Sequence, residues 1–209
     1  MGGKDSRFQS TLWEVVLQAK NGETQAVEQL ARDYWKPVYF FIRRKGQPVE
    51  SAKDLTQSFL GHLLEKDLLS RVDPEKGKFR SFIMATLGNF LNNERRTSQA
   101  QKRGGAFNFV EAEDDLRSAD STPEKAFFKG WALTILEQAM TRLRETVPPE
   151  DLAILEGKAP PEMTPSEKKN RLFRVRGRLQ HLLRESVRTA VDREGDVDSE
   201  LREIFASLG

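Results

Sequence analysis

Apolar residues recur every three or four positions along most of the chain, which is the spacing of amphipathic helices. A clear example lies between residues 52 and 69, where Leu55, Phe59 and Leu63 share one helical face. No segment alternates between apolar and polar residues in the manner of a strand, so the pattern predicts an all-α fold. The predicted helices cover residues 11–19, 26–42, 52–69, 79–91, 123–146, 150–156, 164–191 and 197–208.

Turn-forming residues and prolines mark several of the predicted helix ends. Asn21-Gly22 ends the first helix, and Pro148-Pro149 ends the helix that starts near residue 123. Thr122 before Pro123 is a strong start signal, because a threonine side chain caps free backbone N–H groups and proline is favoured in the first turn. Pro37 falls inside the second predicted helix, where it indicates a kink or a new first turn.

The composition changes near residue 104. Residues 107–124 lack helical periodicity and carry six acidic side chains against Arg117 alone. Such a composition is typical of a linker. We therefore predict two small helical domains, residues 8–103 and 123–209, joined by a flexible acidic linker over 104–122.

The net charge of +2 conceals two strongly basic blocks. Residues 76–103 contain seven basic side chains and residues 168–188 contain eight, with a single glutamate in each block. In the second block Arg171, Arg174 and Arg178 share one helical face. A helix with such a face can lie against a phosphate backbone or in a major groove, and the alternative is a charged face that is merely solvated.

Several function classes find no support in the residues. The chain has no cysteine, and its two histidines, His62 and His181, lie far apart, which argues against a zinc site. No serine, histidine and carboxylate set or phosphate-binding glycine loop is visible, so we expect no enzyme, no cofactor and no metal. The first ten residues lack the apolar run of a signal peptide and no run reaches the length of a membrane span, so we expect a cytoplasmic protein without a membrane partner.

Six segments of the chain, in order, resemble the extracytoplasmic-function sigma factors of the sigma-70 family, in particular the subgroup common in planctomycetes. They are YWKPVYFFIRRKG (34–46), DLTQSFLGHLLEK (54–66), DPEKGKFRSFIMATLGNFLNNERR (73–96), AQKRGG (100–105), MTPSEKKNRLFRVRGRL (163–179) and DVDSELREIFASLG (196–209). The resemblance implies a region 2-like domain followed by a region 4-like helix-turn-helix domain. It implies a transcription initiation factor whose partners are core RNA polymerase, promoter DNA, and an anti-sigma factor or other regulatory protein.

The resemblance assigns two tasks to the first domain. One helix docks on the coiled-coil clamp of the largest polymerase subunit, and its candidate contact residues are Asp54, Gln57, Leu60 and His62. The segment 76–96 captures the promoter element nearest the start site as it melts, which requires apolar surface for unpaired bases and cations for the backbone. Its candidate DNA-binding residues are Lys76, Lys78, Arg80, Asn89, Arg95 and Arg96.

In the second domain the resemblance places a recognition helix for the farther promoter element after Met163, with Thr164 as its N-cap. The candidate DNA-binding residues of this helix are Lys169, Asn170, Arg171, Arg174 and Arg178. The chain departs from the family here, because only fourteen residues separate Pro149 from Thr164, and Lys168 falls on the apolar face. The alternative hypothesis is therefore a sigma-derived adaptor that keeps polymerase binding while its second domain docks on a protein. A generic helical nucleic-acid binder is the third.

Overall fold

The structure is a computed structural model that describes residues 11–73, 78–101, 122–158, 160–190 and 197–208. Within these ranges the regular structure is entirely helical, which confirms the predicted all-α class. The helices are α1 (Thr11–Lys20), α2 (Thr24–Arg44), α3 (Val49–Leu64), α4 (Lys66–Ser70), α5 (Phe79–Gln101), α6 (Pro123–Thr146), α7 (Pro149–Leu155), α8 (Pro165–Ala190) and α9 (Val197–Leu208).

Most helix ends agree with the turn signals in the sequence. Helix α1 ends just before Asn21-Gly22, and Gly22 has the positive φ of 88° that glycine adopts at little cost. Pro37 lies inside α2, which continues to Arg44 as one helix. The single helix expected over 52–69 is wrong, because Glu65 has extended backbone angles and separates α3 from α4. The apolar spacing runs across this break, so periodicity gave no sign of it.

Threonine side chains cap α6 and α8, the two helices whose first residue is a proline preceded by a threonine. The Thr122 hydroxyl accepts a hydrogen bond from the Lys125 backbone N–H at 3.2 Å at the start of α6. At the start of α8, the Thr164 hydroxyl accepts from the Glu167 N–H at 3.3 Å, and the Glu167 carboxylate accepts from the Thr164 N–H at 3.0 Å. This reciprocal pair is a capping box, which fixes the first turn of α8.

Aromatic side chains form the centre of a first core cluster, which lies among α1, α2, α3 and α5. The Phe79 ring packs edge-on against Trp13 at 5.9 Å and Tyr34 at 5.3 Å, measured between ring centroids. Phe59 packs against Phe90 in the same way at 5.5 Å. These contacts explain why the apolar stripes of the first half of the chain are buried rather than available as stacking surface.

A second cluster lies among α6, α8 and α9. Val175, Leu182 and Leu183 of α8 are buried there, as the apolar face of the predicted basic helix requires. Lys168 lies seven residues before Val175 and therefore on the same helical side, as expected, but its side chain is exposed. The helix starts at Pro165, and its first turn extends beyond the part of α8 that packs on α6 and α9.

Helix α6 packs along α2 and brings the two halves of the chain into direct contact. Phe127 of α6 belongs to the first core cluster, where its ring lies 6.4 Å from that of Tyr34. Further along, the Gln138 amide donates to the Asp33 carboxylate at 2.7 Å. The expected acidic linker over 104–122 falls almost entirely outside the described residues, and the division into two domains stays a prediction.

Candidate polymerase and nucleic-acid interfaces

Helix α3 presents one polar face that carries most of the expected polymerase contacts. Asp54, Gln57 and His62 are exposed, because the opposite face of α3 supplies Phe59 to the core. Leu60 is only 4% exposed and belongs to the first core cluster, so its assignment as a surface contact is wrong. Its apolar side chain is held by helix packing.

His62 occupies the end of this face. Its Nδ1 atom lies 3.4 Å from the Glu65 carboxylate, and its ring centroid lies 5.9 Å from that of Phe90. The imidazole therefore bridges the end of α3 and the middle of α5. The His62 side chain is half exposed and lies on the exposed side of α3 that carries Asp54, about 12 Å further along the helix axis.

Arg80 in the first turn of α5 is covered by the second half of the chain, and Lys78 just before α5 pairs with that half while its side chain stays 35% exposed. The Lys78 Nζ lies 3.0 Å from the Glu200 carboxylate, and the Arg80 guanidinium pairs with the same carboxylate. The Arg80 side chain is 13% exposed, and its guanidinium carbon lies 5.2 Å from the ring centroids of both Phe128 and Trp131. Lys78 and Arg80 were expected to contact DNA, and in this conformation they contact α6 and α9 instead.

The other expected DNA contacts of the first half lie elsewhere on α5. Asn89, Arg95 and Arg96 are exposed. Arg95 is fifteen residues from Arg80, which places it about 22 Å further along the helix axis. The structure therefore does not bring the two groups of cations together. Lys76 lies outside the described residues.

The basic face of α8 is largely exposed. Lys169, Asn170, Arg174 and Arg178 are all at the surface. Arg171 is the exception, because its Nη1 atom lies 2.9 Å from the Asp151 carboxylate of α7. That ion pair attaches the short helix α7 to the first turns of α8.

An exposed aromatic residue that the sequence pattern did not single out lies on the same helix. Phe173 is 79% exposed and lines an open depression together with Glu167, Asn170, Arg171 and Arg174. A phenylalanine in a helix is more often a core residue, so composition alone could not identify it. The sequence did carry one indication that Phe173 is exposed. It directly follows Leu172 of the apolar face of α8, so its side chain points away from the centre of that face.

No group of three or more histidine, aspartate or glutamate side chains in the described part of the chain is placed to hold a metal ion. Among the helices of the described ranges, none is both long and apolar enough to cross a membrane.

Comparison of the chain with protein-family models, with curated proteins and with solved structures finds no match.

Proposed function

We propose that this protein is a sigma factor of the extracytoplasmic-function type, which binds core RNA polymerase and directs promoter recognition and opening. The six ordered sequence segments support this assignment. The structural observation that carries it is the exposed basic face of α8, which follows a capped helix start and carries Asn170, Arg174 and Arg178. The protein itself would catalyse no reaction and require no cofactor.

In this proposal α8 enters the major groove of the farther promoter element. Its side chains near the helix start approach the base edges, and an asparagine such as Asn170 can pair with adenine through two hydrogen bonds. Arg174 and Arg178 lie on a neighbouring exposed strip, where they would neutralise phosphates and release counterions. Helix α7, attached through the Arg171–Asp151 pair, takes the place of the first helix of the motif.

The exposed polar face of α3 would contact the polymerase in the same proposal. Asp54 and Gln57 lie one helical turn apart, so both can meet a single partner helix. A coiled-coil clamp offers such a partner, and the aspartate would pair with a cation on it. The aromatic packing of Phe59 beneath this face holds it rigid.

One observation favours the adaptor as a second candidate function. Phe173 is a large apolar side chain exposed beside arginines, and aromatic residues and arginine are enriched in protein interfaces. An adaptor would keep the α3 contact with polymerase and bind a protein through α8. Binding of duplex DNA by the full chain separates the candidates, because only the sigma factor predicts a sequence-selective, salt-sensitive affinity for promoter fragments.

The test of the lead proposal uses core polymerase and two matched double variants. Asp54→Ala with Gln57→Ala removes the α3 contacts and is expected to weaken core binding by at least about tenfold, which is about 1.4 kcal/mol. Gln25→Ala with Glu28→Ala removes an exposed amide and an exposed carboxylate, also one turn apart, from α2 and is expected to leave core affinity unchanged.

Run-off transcription across the native genome provides the functional half of the test. The proposal expects core-dependent transcripts from a limited set of promoters. Undiminished core binding by the α3 double variant would show that the polymerase interface does not include Asp54 and Gln57. A wild-type chain that does not bind core polymerase would contradict the proposal and leave a generic helical nucleic-acid binder.

A further inference from the structure

Glu200 of α9 is a buried carboxylate between two cations of the first half of the chain. Glu200 is 1% exposed, and its carboxylate contacts both Lys78 and Arg80. Removing a carboxylate from water is strongly unfavourable unless close cations compensate. The two cations provide that compensation only while α9 lies against the start of α5.

Arg80 is enclosed from a second direction. The guanidinium lies over the rings of Phe128 and Trp131 of α6, which gives a cation–π contact on each. Glu203, one turn after Glu200 on α9, approaches the same guanidinium at 4.0 Å. Two aromatic rings from α6 and two carboxylates from α9 therefore surround a cation that α5 would otherwise present at its first turn.

We propose that α9 is an intramolecular cover that competes with the backbone of single-stranded DNA for Lys78 and Arg80. This inference rests on the proposed function, which assigns these cations to the strand displaced during promoter melting. A phosphate oxygen and a carboxylate oxygen accept the same charge-assisted hydrogen bonds from lysine and arginine. Because Glu200 already occupies both cations, DNA binding at this position and the packing of α9 exclude each other.

The competition has a definite consequence for affinity. A strand that binds only the uncovered form has its affinity reduced by the fraction of molecules in that form. The free protein therefore holds single-stranded DNA weakly, and a partner that displaces α9 raises the affinity. If Glu200 only stabilised the fold, removing its charge would lower stability without raising the affinity for DNA.

The test compares two variants of α9 in the full chain, each of which replaces one carboxylate by a neutral amide. Glu200→Gln keeps the size of the side chain and removes the charge that holds the two cations. Asp198→Asn makes the same change of net charge on the same helix, but at a side chain that is 66% exposed and pairs with Arg184 of α8. Fluorescence anisotropy with a labelled oligothymidylate at fixed salt measures the affinity of each variant and of the wild type.

We expect Glu200→Gln to bind the oligothymidylate about tenfold more tightly than wild type, and Asp198→Asn to bind within about twofold of it. Equal gains in both variants would overturn the proposal, because net charge alone would then explain them. An unchanged affinity of Glu200→Gln, with the helix content of the chain unchanged by circular dichroism, would overturn it as well.

A distance measurement keeps the proposal testable if Glu200→Gln folds poorly. The chain has no cysteine, so Ser81→Cys and Arg202→Cys introduce two spin-label positions, both exposed, on α5 and α9. Saturating oligothymidylate is expected to lengthen the distance between the labels, and an unchanged distance would overturn the proposal. Neither readout uses polymerase, so failure of core binding would count against the proposed function and leave this inference to be decided by the DNA data.

Discussion

Gly130 of α6 lies directly against the backbone of Pro37 in α2. A Cβ atom at position 130 would lie 2.8 Å from the Pro37 Cα and N atoms and from the Lys36 carbonyl oxygen. These are backbone atoms in the middle of a helix, so they cannot move aside as the end of a flexible side chain can. The absence of a side chain at position 130 is what allows α6 to pack along α2.

Gly130→Ala is therefore expected to lower the free energy of unfolding by about 2 kcal/mol, through overpacking of this contact. The sign is informative, because alanine normally stabilises a helix interior relative to glycine by about 1 kcal/mol. Urea unfolding followed by circular dichroism measures the change. Gly177→Ala in α8 is the matched control, because a Cβ atom there meets open space, and it should raise stability. A stabilised Gly130→Ala variant would show that α6 does not pack on α2 this closely.

Local features of this fold could be predicted from the sequence because their causes are local. The helices α6 and α8 begin where a threonine precedes a proline, and their caps involve residues only three positions apart. The buried face of α8 follows from the spacing of Val175, Leu182 and Leu183. The all-α class follows from the same kind of periodicity.

The parts that could not be predicted depend on residues far apart in the chain. Lys78 and Glu200 are 122 positions apart, and only the packing of α9 on the start of α5 shows that they meet. The resemblance identifies Arg80 as a candidate DNA contact, and nothing in the local sequence shows that Phe128 and Trp131 enclose its guanidinium. Leu60 lies on α3 at the border of the exposed polar face. Whether that border is buried depends on how the neighbouring helices pack against α3, which the sequence of α3 does not show.

Asp33 gives the contact between α2 and α6 a pH dependence. Burial raises the pKa of its carboxyl from 3.8 to about 6, against the opposing effects of Arg32 and of hydrogen bonds with Gln29 and Gln138. Between these two pH values the folded protein binds more protons than the unfolded chain, so stability falls as the pH rises from about 4 to about 6. Urea unfolding across this range should show the decrease.

Asp33→Asn removes the titrating group and keeps an oxygen that can accept the hydrogen bond from Gln138. We expect this variant to be more stable than wild type near neutral pH, by about 1 kcal/mol, and to lose the decrease in stability between pH 4 and 6 that Asp33 contributes. If the two proteins had parallel pH profiles, Asp33 would not be the buried acid responsible.

The capping box at the start of α8 makes a second stability prediction. Hydrogen bonds from the Thr164 hydroxyl and backbone N–H hold the pKa of Glu167 below its usual range, so the carboxylate stays charged and keeps the cap. Thr164→Ala is expected to cost about 1 kcal/mol and to speed amide hydrogen exchange in the first turn of α8. Ser166→Ala, two residues later and exposed, should change neither. Unchanged exchange in Thr164→Ala would mean that the first turn is held by other contacts.

Arg171 and Arg174 of α8 separate a structural role from a DNA-binding role. Arg171 pairs with Asp151 of α7, and Arg174 is exposed on the same helix. Under the proposed function, Arg174→Ala should weaken promoter binding similarly for all sequences and lower the salt slope of the affinity by about one, because one phosphate contact is lost.

Arg171→Ala should instead release α7 and lower the midpoint of urea unfolding, and Asp151→Ala should reproduce that loss of stability. Filter binding of a promoter duplex over a range of salt concentrations, together with urea unfolding of all three variants, measures both effects. An Arg174→Ala variant with an unchanged salt slope would remove this residue from the DNA interface and favour the adaptor.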